Sequence, residues 1–500
     1  MWAAALLLAA GGVLLVAVAT RDRPGVTVDS GAYLGAAVGL RDGHGPTSPV
    51  MHYDEPYPDH IEVGARRLVT HFPPLYPAAI ATVSRLTGLE PLTAARWLGA
   101  LVMAVTLASI TLLVATRTGS LGFGLLAGAL ALAPDLLRDD SMVWSEGLFG
   151  LVLLAGVVLT DRLLRAPSRA VRWALVAVAA AAPLVRFVGV AVPLGVALAV
   201  LAFGGGSVWR RGRSAAGLAG VSLVPIAVWV GVSAGVGRGG SLLQWHPPPT
   251  RKWFDGLTAL GTWTGVTVGP WRWALGVVVL VVLLAVAVVV AVRAADRLVA
   301  ITLVFAGVLL AVVVLARCTI DALVPFGVRM LSPVHLLAAL VVPLAIARVA
   351  VPWRHLATAG ALLVAAVGVV HSVRDARDFP HENTSYTGER WDRSATMARV
   401  RRIPSGNLIV TNAPDAVWLA TGRIPLRLPL PNDLFGGGPN RQLAEQTAVL
   451  RDALHGRRAI VVFFDRPTQG RHRSLDPRLI ANLDLHRTYT YDDGATYRID

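Results

Sequence analysis

Cysteine and lysine are almost missing from this sequence: in 500 residues Cys318 is the single cysteine and Lys252 the single lysine. One thiol excludes an intramolecular disulfide, a thiolate zinc site and Cys-x-x-Cys redox chemistry. With 46 cationic residues, the positive charge is therefore arginine, a bias that a GC-rich genome explains without any need for phosphate gripping. Charge of either sign is also scarce, at 15% against about 25% in soluble proteins, beside 54% hydrophobic residues and a mean hydropathy of +0.59. Most of the chain must be dissolved in lipid. The formal charge of +15 and pI near 11.1 would suggest nucleic acid if read alone. A polytopic membrane protein collects arginine in its cytoplasmic loops, however, so no nucleic-acid partner is expected. A phosphate-cradling glycine loop is missing too, because Gly436, Gly437 and Gly438 follow no strand and precede Pro439.

What charge there is lies unevenly. From Arg374 onward there are 19 Arg and 15 Asp or Glu, in the last quarter of the chain. The expected division is a transmembrane domain over 1–372 and a water-soluble domain over 373–500. Apolar runs long enough to cross about 30 Å of hydrocarbon fall near 2–20, 95–116, 119–135, 142–160, 171–185, 187–204, 215–235, 272–292, 298–316, 331–349 and 355–372, which predicts about eleven helices. The first ends in Ala17-Val18-Ala19, but no positive segment precedes it, so it reads as an uncleaved helix.

Loop charge sets the orientation. With the N-terminus inside, the cytoplasmic loops hold Arg117, Arg162, Arg165, Arg169, Arg172, Arg210, Arg211, Arg213, Arg293, Arg297, Arg348 and Arg354. The opposite short loops are less than half as cationic per residue. A multi-pass plasma-membrane protein with a cytoplasmic N-terminus follows, placing the 21–75 loop and the tail outside. In the tail, Asn407–Thr411 and Ala459–Phe464 suit buried strands, 414–421 and 440–454 suit helices, and 488–498 suits a closing hairpin: a small extracytoplasmic α/β domain.

Ionisable groups at the edge of a span are costly, about 2.5–3.5 kcal/mol at mid-membrane, and so invite a functional explanation. In this orientation they gather outside. Asp29, Tyr33, His44, His52, Asp54, Glu55, Arg66, Arg67 and His71 are in the first loop; Asp135, Arg138, Asp139, Asp140 and Glu146 follow in the second and the helix after it. Arg186 interrupts the 171–204 run, and Arg317, Asp321, Arg329 and His335 surround the last outer loop. Acids meeting arginines there suit chemistry on a phosphorylated lipid, carboxylate activating a nucleophile and guanidinium holding phosphate. Asp139 and Glu146, seven apart, would lie about 10 Å apart on one helical face if the helix starts early enough. Glu146 is the stronger functional candidate, since apolar residues follow it at once. The mid-span positions are Ala, Leu, Val and Gly, which argues against a permeation pathway.

The order of short motifs is similar to that of the GT-C superfamily of integral-membrane glycosyltransferases, in particular the bacterial relatives of protein O-mannosyltransferases and of the lipid A aminoarabinose transferase. Val28–Tyr33, His71–Pro77, Ser145–Phe149, Leu184–Gly189 and Arg329–Pro333 carry the resemblance, joined by Val410–Asp415 and Thr421–Arg423 in the tail. It implies a GT-C-like helical domain, a sugar donor on polyprenyl phosphate, a lipid, glycan or protein acceptor presenting a hydroxyl outside, and Asp29 as the base of an inverting transfer. Ser30 follows Asp29 where the mannosyltransferases carry a second acid. Within that frame Glu146 joins Asp29 as catalytic, and Tyr33, His71, Asp139, Asp140, Arg186 and Arg329 are candidates for substrate, the two arginines for phosphate. No cofactor is expected, and no metal, because no ligand spacing organises His44, His52, His60, Asp54 and Glu55. The competing classes are a non-catalytic partner of the same fold and a transporter of lipid-linked sugars.

Overall fold

The computed structural model describes residues 1–500 except 53, 54, 56, 237–244, 246, 267–268, 294–295, 321–323, 382–384, 433–437, 466–474 and 500, and leaves aside the side chains at 235–236 and 287–293. Asp54 and Asp321, named above, lie outside the described residues. Two compact units form: Met1–Arg21, Pro73–Tyr76 and Arg96–Phe379 make the first, and Asp22–Phe72, Pro77–Ala95 and Pro380–Asp500 the second. The chain is thus not divided by one cut near 372. Most of the first loop shares a core with the tail, since Met51 and Ile61 pack with Val410, Leu428, Leu450, Val461 and Tyr497.

The first unit is helical throughout. Each apolar run named from the sequence is helical over most of its length. Seven helices among the described residues are long and apolar enough to cross a membrane, eight if the bent pair Leu121–Ala131 and Pro134–Ser141 is counted as one span. The other three expected runs, 171–185, 187–204 and 272–292, are helical too, but their described stretches are short for a single crossing. Arg186, with extended backbone, divides the 171–204 run into Arg169–Val185 and the shorter Phe187–Phe203. Pro134, tolerated in a first turn where no N–H is needed, starts a new helix at 60° to Leu121–Ala131. The faces turned inward are continuous stripes, such as Leu107, Ile110 and Val114, or Leu298, Phe305, Leu309 and Val313. Leu6, Leu7, Leu101 and Leu363 stay exposed on the outside of the bundle, the arrangement of a surface solvated by lipid.

Apart from Arg317, the buried ionisable side chains among the described residues of this unit fall into two groups. One joins Asp161, Arg117 and Arg165 with Asp296 and Arg348. The other surrounds Glu146, at the opposite end of the 20-residue helix Glu146–Arg165 and so about 22 Å from Asp161 along the axis.

In the second unit a short hairpin, β1 (Thr47–Ser48) and β2 (Arg67–Leu68), accompanies a five-stranded sheet: β3 (Leu408–Thr411), β4 (Leu426–Arg427), β5 (Ala459–Phe464), β6 (Leu485–Tyr491) and β7 (Gly494–Ile499), in the order β4-β3-β5-β7-β6. β3 runs parallel to β4 and β5, while β7 pairs antiparallel with β5 and β6. The expected strands, the Pro414–Thr421 helix, the Leu443–Leu454 helix and the hairpin are all present. The sequence reading missed the two-residue β4 and the helix Val28–Arg41 inside the first loop. That helix is rich in small residues for a steric reason. A Cβ on Gly31 would sit 2.2 Å from Asp415 Oδ1, and one on Gly35 would sit 2.3 Å from Ser48 Oγ.

Candidate functional site

Glu146 opens its helix behind Ser145 and is buried. Both arginines expected to hold phosphate converge on it. Arg186 Nη1 lies 2.6 Å from Glu146 Oε1, and Arg329 Nε donates to the same oxygen. Local structure aims them. Arg186 is extended because the preceding helix stops at Val185, and Arg329 occupies the first turn of Val328–Ile346 after Gly327. Arg186 Nη1 also donates to Ser145 Oγ at 3.1 Å, and the Arg329 guanidinium lies 4.2 Å from the centre of the Trp144 ring. Glu146 Oε2 has no partner among the described residues. One carboxylate thus meets two guanidiniums on one oxygen, leaving a net positive group that is still mostly buried, with side-chain exposures of 12% for Arg186 and 22% for Arg329.

The polar group continues along Val328–Ile346. Ser332 donates to Asp139, and His335 Nδ1 is 2.8 Å from Asp135 Oδ2 while its ring stacks on Trp263 at 4.6 Å. Arg329, Ser332 and His335, on successive turns, therefore meet Glu146, Asp139 and Asp135. Asp139 and Glu146 are not on one helix, as the early-start reading supposed: Pro134–Ser141 ends first and residues 142–145 separate the two. They come together by tertiary packing, lining a cavity of about 20 Å³ with Asp140, Thr106, Gly147 and Ser332, room for about one water. Gly147 is required there, since a Cβ would come 2.0 Å from Asp140 Oδ1.

The second unit holds Asp29, Tyr33 and His71. Asp29 is half-buried in the first turn of Val28–Arg41, whose start is fixed by a reciprocal Thr27–Ser30 cap. Ser30, which stands where a second acid was looked for, is thus occupied as a capping residue. Tyr33, one turn after Asp29, is buried with its ring 4.7 Å from Phe72, which lies 4.5 Å from the His71 ring. His71 is 4.0 Å from Glu55 Oε1.

Nearby, the sequence reading missed a fully buried relay. Ser48 Oγ is 2.8 Å from His52 Nε2, and His52 Nδ1 meets Asp415. Its order matches a nucleophile, base and orienting acid, but all three residues are sealed from solvent, so it serves to fasten the first loop onto the tail. Arg427 does the same from β4, donating to the carbonyls of His52 and Glu55. Beside it, burial pushes the Tyr57 phenol well above its ordinary range, keeping it neutral to donate to the Arg427 carbonyl at 3.1 Å. Among the described residues no group of histidines, cysteines and acids is arranged to hold a metal ion.

No family model matches the sequence, and no curated protein matches it. Solved structures do. The chain is similar to ArnT from Cupriavidus metallidurans bound to undecaprenyl phosphate, at 15% identity and TM-score 0.62, over 99% of this chain and 97% of that one. The apo state of the same ArnT matches at 16% identity with the same TM-score and coverage. An oligosaccharyltransferase from Archaeoglobus fulgidus tethered with an acceptor peptide matches at 12% identity and TM-score 0.51, over 92% of this chain and 69% of that one. The fold is that of the GT-C membrane glycosyltransferases. The GT-C resemblance first read from short motifs thus extends to nearly the whole chain as architecture, with a mostly helical membrane part and a small C-terminal sheet.

Of the predicted site residues, Glu146, Arg186, Arg329, Asp139 and Asp140 form one cluster in the first unit, and Tyr33 and His71 join through Phe72 in the second. Ser145, Trp144, Ser332, Asp135, His335 and Trp263 complete the first cluster. Asp135 and His335 stand out in the sequence as outer ionisable groups and Ser145 by its motif; for the others the sequence signal is the spacing of Arg329, Ser332 and His335 at three-residue intervals, with Asp135 and Asp139 four apart.

Proposed function

We propose that this protein is a membrane glycosyltransferase that moves a sugar from a polyprenyl-phosphate donor to an acceptor hydroxyl at the outer face of the membrane. The observation that carries the reading is the pair of mostly buried guanidiniums on a single Glu146 oxygen. A buried arginine pair with half its counter-charge is a good receptor for a phosphate group, which arginine binds through paired, directional hydrogen bonds. The undecaprenyl phosphate bound by the Cupriavidus ArnT, a structure of the same fold, supports a polyprenyl phosphate as the ligand.

In this reading the acceptor oxygen bonds to the anomeric carbon as its proton passes to the Asp29 carboxylate. The bond from that carbon to the phosphate oxygen breaks, and its electron pair leaves on the lipid phosphate. One displacement inverts the anomeric centre. Arg186 and Arg329 stabilise the charge that grows on the departing phosphate, which lowers the barrier because the interaction strengthens along the reaction. Glu146 is buried against two cations and acts by holding them, as a positioning residue, with Ser145 and Trp144 fixing their planes. Tyr33 and His71 contribute to the acceptor side, and Asp139 and Asp140 support the donor side. The N-in, tail-out orientation follows from loop charge.

The deciding experiment incubates purified full-length protein with a synthetic polyprenyl-phosphate sugar and a panel of lipid, glycan and peptide acceptors bearing free hydroxyls, and follows release of polyprenyl phosphate. Wild type is expected to release it and Asp29→Asn to lose release by about 10²–10⁴-fold while folding normally, the usual weight of a positioned base. Unchanged release in Asp29→Asn removes the base assignment, and no release in wild type with any donor removes the reading.

A further inference from the structure

Arg317 has no part in anything described so far. It lies in the last turn of Arg297–Thr319 and extends the buried stripe of Phe305, Leu309 and Val313 by one more four-residue step. Its side chain belongs to a residue only 5% exposed, and its Nε and Nη1 find no acceptor among the described residues. A guanidinium keeps its proton in a protein, so it cannot escape the cost of burial by becoming neutral. Arg427, the other buried arginine among the described residues, donates to two backbone carbonyls. Arg317 offers two donors that meet no acceptor among the described residues.

Its position says which ligand those donors suit. The Arg297–Thr319 helix packs against Phe187–Val190, the turn that starts directly after Arg186, and against Val328–Ile346, whose first turn carries Arg329. The last turn of the one helix and the first turn of the next are joined by residues 320–327, so both arginines stand at the same end of the bundle.

We infer that Arg317 is a third guanidinium of the lipid-phosphate site, taking an oxygen of a phosphomonoester headgroup. The inference rests on the phosphate reading above. Glu146 cancels one of the two charges of Arg186 and Arg329, and Arg317 restores a second positive charge. The sugar-linked phosphodiester carries one negative charge, whereas the released monoester carries about −1.5 to −2 at pH 7. Three guanidiniums around the Glu146 carboxylate therefore match the leaving group better than two, the direction that favours transfer. They also match a carrier with one phosphate better than one with two.

The test measures binding of a polyprenyl monophosphate to full-length protein in lipid nanodiscs. Arg317→Met, which keeps the bulk of the stem, is expected to weaken binding about tenfold, the weight of one charge-assisted contact, with no fall in ligand-free Tm. Arg317→Lys is expected to recover part of the loss. Wild-type affinity in Arg317→Met beside weakened binding in Arg329→Ala overturns this inference alone; wild-type affinity in both overturns the phosphate reading itself. If Arg317→Met lowers the ligand-free Tm, Arg317→Lys decides: recovery of Tm together with affinity supports the site, and recovery of Tm alone overturns it. Inorganic phosphate competing as well as the lipid at equal concentration overturns the lipid source.

Discussion

Two ends of one helix, Glu146–Arg165, each bury a carboxylate among arginines, and they do so differently. Asp161 uses both oxygens: Oδ1 receives Arg165 at 3.0 Å and Oδ2 receives Arg117. Its arginines are 21% and 44% exposed, so their spare donors reach the surroundings. Glu146 receives Arg186 and Arg329 on Oε1 alone and leaves Oε2 bare among the described residues, with its arginines 12% and 22% exposed. A carboxylate satisfied on both sides with its cations outward is a finished structural joint. In the proposed reading, a crowded oxygen, a bare one and two inward cations form a group that the donor phosphate completes. Burial and composition are alike at the two ends, so neither identifies a site. What separates them is where the unsatisfied donors and acceptors point.

The largest effect expected from breaking this contrast is on transfer. Arg329→Ala is expected to slow turnover of a polyprenyl-phosphate sugar about 10²–10³-fold, the loss found when one donor to a developing negative charge is removed. Arg117→Ala, at the other end, is expected to leave turnover within about twofold, and equal losses would show that the two ends are equivalent. The second effect is on stability. Asp161→Asn leaves two arginines facing each other and is expected to cost about 1–3 kcal/mol, less than a fully buried pair because both cations are partly solvated. Chemical denaturation in detergent measures it.

Glu146→Gln sharpens the contrast further. Without the competing carboxylate, both guanidiniums are available, so polyprenyl-phosphate affinity is expected to rise about three- to tenfold while ligand-free stability falls. A general base at this position would instead lose transfer with affinity unchanged. The smallest effect is expected at the rim of the tail. Arg478 is exposed and pairs only with its neighbour Asp476 among the interactions described, so Arg478→Ala should change neither activity nor Tm measurably. It is a better control than Arg427, whose guanidinium is buried on two carbonyls and whose loss would loosen the second unit.

Much of this arrangement could be read in advance. The apolar runs gave the helices, because burial of about twenty apolar residues in lipid leaves the backbone no alternative to satisfying itself. The alternation of strands and helices in the tail was equally plain, with β3, β5 and the final hairpin where the sequence put them. Asp29, Glu146, Arg186 and Arg329 stood out as charges in places that disfavour charge. Their partners did not stand out. Ser332 and Trp144 are ordinary residues until Asp139 and Arg329 are brought against them. The first loop was read as part of the membrane unit, although its Val28–Arg41 helix packs with the tail where Gly31 meets Asp415, because sequence adjacency says nothing about which core a loop joins.

By itself the sequence determined the solvent of each part of the chain, the helices and strands, and the ionisable residues that demand an explanation, since hydropathy and periodicity act over neighbouring residues. The tertiary structure decided that arginines 40 and 183 positions from Glu146 share one of its oxygens, that an Asp–His–Ser chain is a fastening rather than a catalyst, and that Arg317 is buried with two donors unmatched among the described residues. Hydrogen bonds and ion pairs depend on directions fixed to within fractions of an ångström, and those directions exist only once distant segments have packed.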